Sequence, residues 1–314
     1  MTPQAEQICG PGGRVLQLLA YRPVTAVLLE LARRSRRPSH FEDEYEVAST
    51  TFHQHAGELI GIGAITRRAE PGPPREVMYD LGETGAEICE LIAGWLTLLR
   101  SSRRIDWKVP RRTSEAWAAG VVPALLDGPR PVPELEVTVR SAHPRLTSHQ
   151  VKRLLKNLTD AGFAEREGEN FAITERGRLA IGELAASARF ERRHLGDDAV
   201  PITPADGANA LRGTLPLIGL PEHPGGICEF VVKEKDGENG AAVAMAWVEI
   251  RDGRVVATGY GAPPQATTSW AQGTIDQWLE AVIDHRPRAL QAAGRSDLSK
   301  PILDDLHAQL YKRD

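Results

Sequence analysis

The sequence has no apolar run that approaches the roughly 18 residues a membrane-spanning helix needs, so no span is expected. Its three cysteines, Cys9, Cys89 and Cys228, are odd in number and far apart, which excludes a disulfide framework and metal-ligand spacing. Each reads as a small hydrophobe in a reducing compartment. The opening MTPQAEQICGPGG lacks the basic-then-apolar order of a secretory leader, and the expected location is the cytoplasm. Chemistry-bearing motifs are missing too. There is no GxxxxGK[ST]; the Gly61-Ile62-Gly63 run closes a helix instead of opening one. No serine sits in a GxSxG elbow. His53 and His55 lie two apart and face different ways on a helix, which argues against a metal. Asp304-Asp305 and the acidic run Glu42, Asp43, Glu44 and Glu46 read as charge runs before acid/base pairs. No enzyme, cofactor or metal site is expected.

At 314 residues the chain is long enough for two or three domains with real cores. A charged fraction of 25% and a formal net charge of −4 exclude a generally polycationic protein. The distribution is more informative. Residues 1–100 hold 10 basic against 13 acidic side chains, residues 101–200 hold 17 against 14, and residues 201–314 hold 11 against 15. Only the middle third is net positive.

That third contains LTSHQVKRLLKNLTDAG, Leu146–Gly162. Thr147 or Ser148 can cap a helix running to about Ala161, with Gly162 at its end. Val151, Leu154, Leu155 and Leu158 make one apolar stripe. His149, Lys152, Arg153 and Lys156, with Asn157, lie away from it. A helix with its back in a core and a basic front is the shape that enters a DNA major groove, although a solvated face has the same pattern.

The chain around it repeats. Arg14–Arg34 reads as one or two helices with a break near Pro23, followed by a short acidic helix in FEDEYEVAS. Ser49 or Thr50 caps a helix whose apolar side is Phe52, Ala56 and Leu59. Short strands at 64–68 and 76–81 flank a proline-rich turn, and Glu83–Leu99 is a further helix carrying Ile88, Leu91, Ile92, Trp95 and Leu98. The order then recurs: a helix at 117–126, a short element at 132–139, the stretch above, a tighter hairpin and a long helix at 175–194. Phe52 matches Val151, Ala56 matches Leu155, Leu59 matches Leu158 and Gly63 matches Gly162, all 99 residues apart. LGETG at 81–85 matches ITERG at 173–177.

Carried by GAITRRAEPGPPREVMYDLGETGAEI and AGFAEREGENFAITERGRLA, both halves resemble the winged-helix domains of HxlR/MarR-type bacterial transcription regulators. The resemblance covers about residues 14–194. It implies that the third helix of each copy reads operator DNA and the hairpin touches the backbone. By position this gives Thr50, His53 and Gln54 in copy one and His149, Lys152, Arg153 and Lys156 in copy two, with Arg67, Arg68 and Arg75 on the first hairpin. Family members usually carry one such domain and dimerise; two in one chain imply a pseudo-dimer over half-sites about 10 base pairs apart.

After a Gly/Pro-containing linker at 196–205, strands are expected at 226–233, 241–251 and 255–259 around an Asp252-Gly253 turn. Helices are expected at 206–218, 269–282 and 297–311. VEIRDGRVVATG followed by TIDQWLEAVIDHRPRALQAAGRSDLSKPILDDLHAQL resembles the sterol-carrier-protein family. That resemblance implies a sheet covered by helices around an apolar tunnel, with Phe230, Met245, Trp247, Trp270 and Trp278 as candidate lining.

The expected architecture is therefore α+β: a flexible start (1–13), two tandem winged helices (14–102 and 113–195) and a sterol-carrier-like ligand domain (206–314). The expected function is a cytoplasmic bacterial transcription regulator that binds double-stranded operator DNA and answers to an apolar or aromatic small-molecule effector. Monomer and homodimer both fit, since the Ile88–Leu98 stripe could pair chains. A self-resistance protein that sequesters a hydrophobic metabolite, with the winged helices as scaffold, is the alternative. A DNA-repair protein is a third reading, disfavoured by the lack of a catalytic carboxylate in the reading region.

Overall fold

The computed structural model describes residues 10–45, 49–69, 77–100, 105–221, 225–234, 243–294 and 298–312. The protein is a mixed α+β chain whose elements fall into three runs. The first holds α1 (Gly13–Leu19), α2 (Arg22–Leu31), α3 (Pro38–Tyr45), α4 (Ser49–Gly61), β1 (Ile65–Ala69), β2 (Val77–Leu81) and α5 (Glu83–Leu99). The second holds α6 (Lys108–Ala118), α7 (Val121–Leu125), β3 (Arg130–Pro131), α8 (Val132–Ala142), α9 (Ser148–Asp160), β4 (Ala164–Glu167), β5 (Asn170–Ile173) and α10 (Glu175–His194).

The two runs match in backbone detail. Gly63 ends α4 at φ 72° and Gly162 ends α9 at φ 72°, a left-handed conformation that glycine adopts without a Cβ clash. The next residue in each case, Ala64 or Phe163, returns its N–H to Leu59 or Leu158 at 2.8 Å. Its carbonyl then accepts from the entry to the following long helix, from Gly82 at 2.8 Å or Thr174 at 3.1 Å. Each hairpin gains a further strand contact, Arg36 bridging Tyr79 and Arg130 pairing with Phe171.

Local chemistry explains the elements. Thr147 caps α9: its hydroxyl accepts from Gln150 N–H at 3.3 Å while the Gln150 side chain accepts from Thr147 N–H at 2.8 Å. Pro23 is the second residue of α2, where its missing donor is harmless, and the chain breaks before it at Ala20–Tyr21. Two expectations shift in the second run. The helix expected at 117–126 is two helices, α6 beginning at Lys108 and α7 following Gly120, which sits at φ 75°. The element at 132–139 is a full helix to Ala142.

One apolar core extends from Val15 to Phe190 through both runs. Helices α5 and α10 pack side by side, and α1 packs on α6 and α10. The stripe Ile88, Leu91, Ile92, Trp95 and Leu98 is buried within the chain, so it is not left open to pair with another chain. The segment expected to be loose is packed as far as it is described: Gly10 is buried beside Ser114, and Gly12 lies against Ser187. Cys9, Glu46, Arg75 and the proline turn at 71–74 lie outside the described residues.

The third run has its own core, Ala208 to Leu310. It comprises α11 (Pro204–Thr214), β6 (Gly225–Lys233), β7 (Val243–Arg251), β8 (Arg254–Tyr260), β9 (Ser269–Thr274), α12 (Ile275–Val282), β10 (Gln291–Gly294) and α13 (Ser299–Tyr311). The sheet order is β10-β9-β6-β7-β8, parallel only between β6 and β9. The helix expected over 269–282 is instead β9 followed by α12. Burial alternates along Ser269–Thr274, and Thr274 caps a new helix by accepting from Gln277 N–H at 3.3 Å. Helix α11 likewise starts earlier than expected, at Pro204, capped by Thr203.

Candidate functional site

Helix α9 buries Val151, Leu154, Leu155 and Leu158 and leaves His149, Lys152, Arg153 and Lys156 exposed. Its exposed face is not uniformly free. Lys156 Nζ lies 2.7 Å from Asp160 on the same helix, and Lys152 Nζ lies 3.6 Å from Glu136 of α8. Ser148 Oγ also donates to Glu136, at 2.8 Å, so this carboxylate fixes α8 against the start of α9. Arg153 is exposed and forms no hydrogen bond or ion pair among the described residues. Arg145, exposed in the turn before α9, adds a cation that spacing along the helix did not single out.

The first run places Thr50, His53 and Gln54 on the exposed side of α4, opposite the buried Phe52, Ala56 and Leu59. The hairpin beside it carries Arg67 and Arg68, both exposed. Arg68 Nε donates to Asp80 at 3.2 Å. Donation from Ser35 and the Arg68 guanidinium hold the Asp80 carboxyl below the ordinary carboxylate range. The two runs are thus charged in opposite order. The first has a weakly polar helix beside a basic hairpin. The second has a basic helix beside a hairpin with Glu165, Glu167 and Glu169 exposed around Arg166.

The five aromatic and sulfur-bearing candidates of the third run do not gather at one cavity. Phe230 and Trp278 lie on the helix-covered side of the sheet, ring against ring at 5.6 Å. Met245, Trp247 and Trp270 point to the other side, because strand register alternates faces: Glu229 is paired with both Trp247 and Trp270. Trp247 covers Gly259, where an added Cβ would approach its ring to 2.5 Å. Of the five, only Trp278 lines the main cavity.

That cavity, about 80 Å³, lies at the seam between the second and third runs instead of inside the sheet domain. Its walls come from Ile181 and Leu184 of α10, Ala210 of α11, Trp278 of α12, Leu310 of α13 and Val232 of β6. Ion pairs and hydrogen bonds cross the seam. Arg192 makes two 2.7 Å bonds to Asp276, and Arg189 meets Asp284 at 2.7 Å. Arg178 donates to Gly213 O at 2.8 Å, and Arg212 binds Asp127 at 2.5 Å. Burial lowers the Arg178 value and the neighbouring Arg212 adds to that; the hydrogen bonds to Asp276 raise the Arg192 value.

No group of three or more metal-ligating side chains occurs among the described residues, and no described helix is long and apolar enough to cross a membrane. Neither a protein-family model nor a curated protein matches this sequence.

Proposed function

We propose that the chain is a DNA-binding transcription regulator in which two tandem winged helices form an in-chain pseudo-dimer and a sterol-carrier-like domain receives an apolar effector. The observation that carries this reading is the exposed cationic front of α9 on a helix whose back is fully buried and whose start is fixed by a capping box. The match between α4 with its hairpin and α9 with its hairpin supports two equivalent reading units, and the packing of α5 on α10 supports a pseudo-dimer. The acidic second hairpin gives α9 the larger share of the contacts and the basic first hairpin gives Arg67 and Arg68 a phosphate-facing role.

The test is a gel shift with the DNA upstream of the chain's own coding sequence, repeated over a salt series. Replacing Arg153 and Lys156 by Ala should weaken binding and reduce the log–log salt slope by about 0.9 for each phosphate left unneutralised. Unchanged affinity and slope in that double variant would refute the assignment. Sequestration of a hydrophobic metabolite is the second reading, favoured by the seam cavity and by the weak front of α4. It predicts ligand binding with no shift of any upstream fragment.

A further inference from the structure

The seam cavity has an unusual chemical uniformity. Each polar side chain on its lining already has a partner inside the protein. Trp117 Nε1 donates to Asp206 Oδ1 at 2.9 Å, and Asp206 Oδ2 accepts from the Thr203 N–H and hydroxyl at 3.0 and 2.7 Å. Thr214 donates to Ala210 O at 2.9 Å, Tyr311 to Gly182 O at 2.9 Å and Trp278 Nε1 to Val231 O at 3.0 Å. What faces the space is hydrocarbon. A polar or charged guest would lose its water and gain nothing in return.

The space is a part-open recess at the seam, not a sealed void in the core. At about 80 Å³ it has room for roughly two or three waters at about 30 Å³ each, and its lining offers them little to bond to. Glycines set its walls: Gly182 of α10 lets Leu310 approach so closely that a Cβ would lie 2.8 Å from it, and Gly207 of α11 brings a would-be Cβ to 3.0 Å from Val232.

We infer that this seam binds a small, neutral, hydrocarbon-like molecule, held by shape and apolar contact with α10 on one side and α11, α12 and α13 on the other. The inference rests on the effector half of the function proposed above and moves the site from the interior of the sheet domain to its junction with α10. Because α10 closes the second reading unit, a guest that favours one seating of α10 on α11–α13 changes DNA affinity, and DNA changes guest affinity by the same factor.

The probe is benzene, uncharged, without hydrogen-bonding groups and of a size suited to a recess this small, titrated into the full chain without DNA and read by calorimetry. Saturable binding is expected. Ala210→Phe should weaken it about tenfold or more, because the added ring overfills the space. Ala185→Phe, on the α10 wall, carries the same expectation if Ala210→Phe does not fold, folding being read by a cooperative thermal melt. Trp247→Ala, on the opposite sheet face, should leave binding unchanged. No saturable binding, or binding unaltered in the folded filled variants, or binding lost in Trp247→Ala, overturns the site. With DNA added, a guest-dependent change in gel-shift affinity supports the coupling, and its absence overturns the coupling alone. Failure of DNA reading itself would show as no gel shift with or without benzene.

Discussion

Trp95 and Ser187 are equivalent positions of the two runs, 92 residues apart in the register that aligns Leu81 with Ile173, and they touch: Trp95 Nε1 donates to Ser187 Oγ at 3.4 Å. A two-fold-like arrangement brings equivalent residues together at its axis, and this contact is of that kind. The helices that carry them, α5 and α10, pack side by side across this contact. Both residues are buried, and Trp95 also faces Phe163, ring centres 6.4 Å apart. The core on either side of this contact is continuous from Val15 to Phe190.

A shared core makes the two runs one cooperative unit. Trp95→Ala should destabilise that unit by about 3–5 kcal/mol, the usual loss for emptying a buried tryptophan site. Urea melts followed by far-ultraviolet circular dichroism should show one transition moved to lower denaturant for all of residues 10–194. A variant that loses only part of the helical signal, leaving the second run folded, would show that the halves are independent.

The ion pair between Lys156 and Asp160 competes with any external anion for the lysine. Both side chains are well exposed, so the pair itself adds little stability. Asp160→Asn removes the competitor and one negative charge from the proposed reading face. It should tighten binding to the upstream DNA and steepen its salt dependence, with a melting temperature close to that of the parent. Looser binding in a folded Asp160→Asn would mean that Asp160 contributes to recognition instead of opposing it.

How much of this is legible in the sequence differs by element. The α9 helix is readable to within a residue of its ends, since a Thr147 or Ser148 cap, the i, i+3, i+4 stripe and Gly162 are local signals that agree; the bond to Gln150 is what selects Thr147 as the cap. The repeat is readable because glycines and apolar positions recur at an offset of 99 residues through α4 and α9 and of 92 beyond the hairpins. The stretch 269–282 misleads because Trp270 and Trp278, eight residues apart, suit a helix face as well as a strand followed by a helix. The six-residue strand is too short for its alternation to outweigh that. The pairing of Trp247 and Trp270 with Glu229 on the uncovered sheet face follows from register, which no local pattern specifies. The cavity is invisible in the sequence for the same reason: its walls come from segments far apart in the chain, and only packing brings them together.

Glu191 introduces a pH dependence. Fully buried on α10, it accepts from Val15 N–H at 2.8 Å and Val200 N–H at 3.2 Å. Burial raises its carboxyl above the ordinary 4.5, outweighing the N–H donors that pull the other way. The folded chain then holds this proton more tightly than the unfolded chain. Stability is highest with the group protonated in both states, falls as pH rises from 4.5 through the folded value, and is level above it. Denaturant melts of parent and Glu191→Gln over that range should show the parent losing stability relative to the variant. A difference that is flat or grows in the parent's favour with pH would contradict the burial argument.

Thiol chemistry offers a check on the third core. Burial pushes the Cys228 thiol up to about 12, and burial with the nearby Glu90 raises Cys89 as well. Since only the thiolate attacks, both should resist iodoacetamide in the folded chain at neutral pH and react on denaturation. Peptide mass spectrometry of the two positions reads each separately. Rapid labelling of Cys228 in folded protein would mean that the β6 strand is open to solvent.

The last prediction uses glycines to separate backbone crowding from helix propensity. Gly85 and Gly177 begin α5 and α10 at matching positions, and a Cβ on either would lie 2.1 Å from a carbonyl oxygen, that of Ala64 or Phe163. Those carbonyls are fixed by the turns that end α4 and α9, so the backbone cannot yield cheaply. Replacing either glycine by alanine should cost about 1–3 kcal/mol, or more, even though alanine is the better helix former. Gly57, exposed on α4, has no atom within 4 Å of a would-be Cβ. Gly57→Ala should therefore stabilise by about 0.5–1 kcal/mol. Thermal melts of the three variants decide the matter: opposite signs support two matched crowded junctions, and stabilisation by Gly85→Ala or Gly177→Ala would show that the long helices do not press on the ends of α4 and α9.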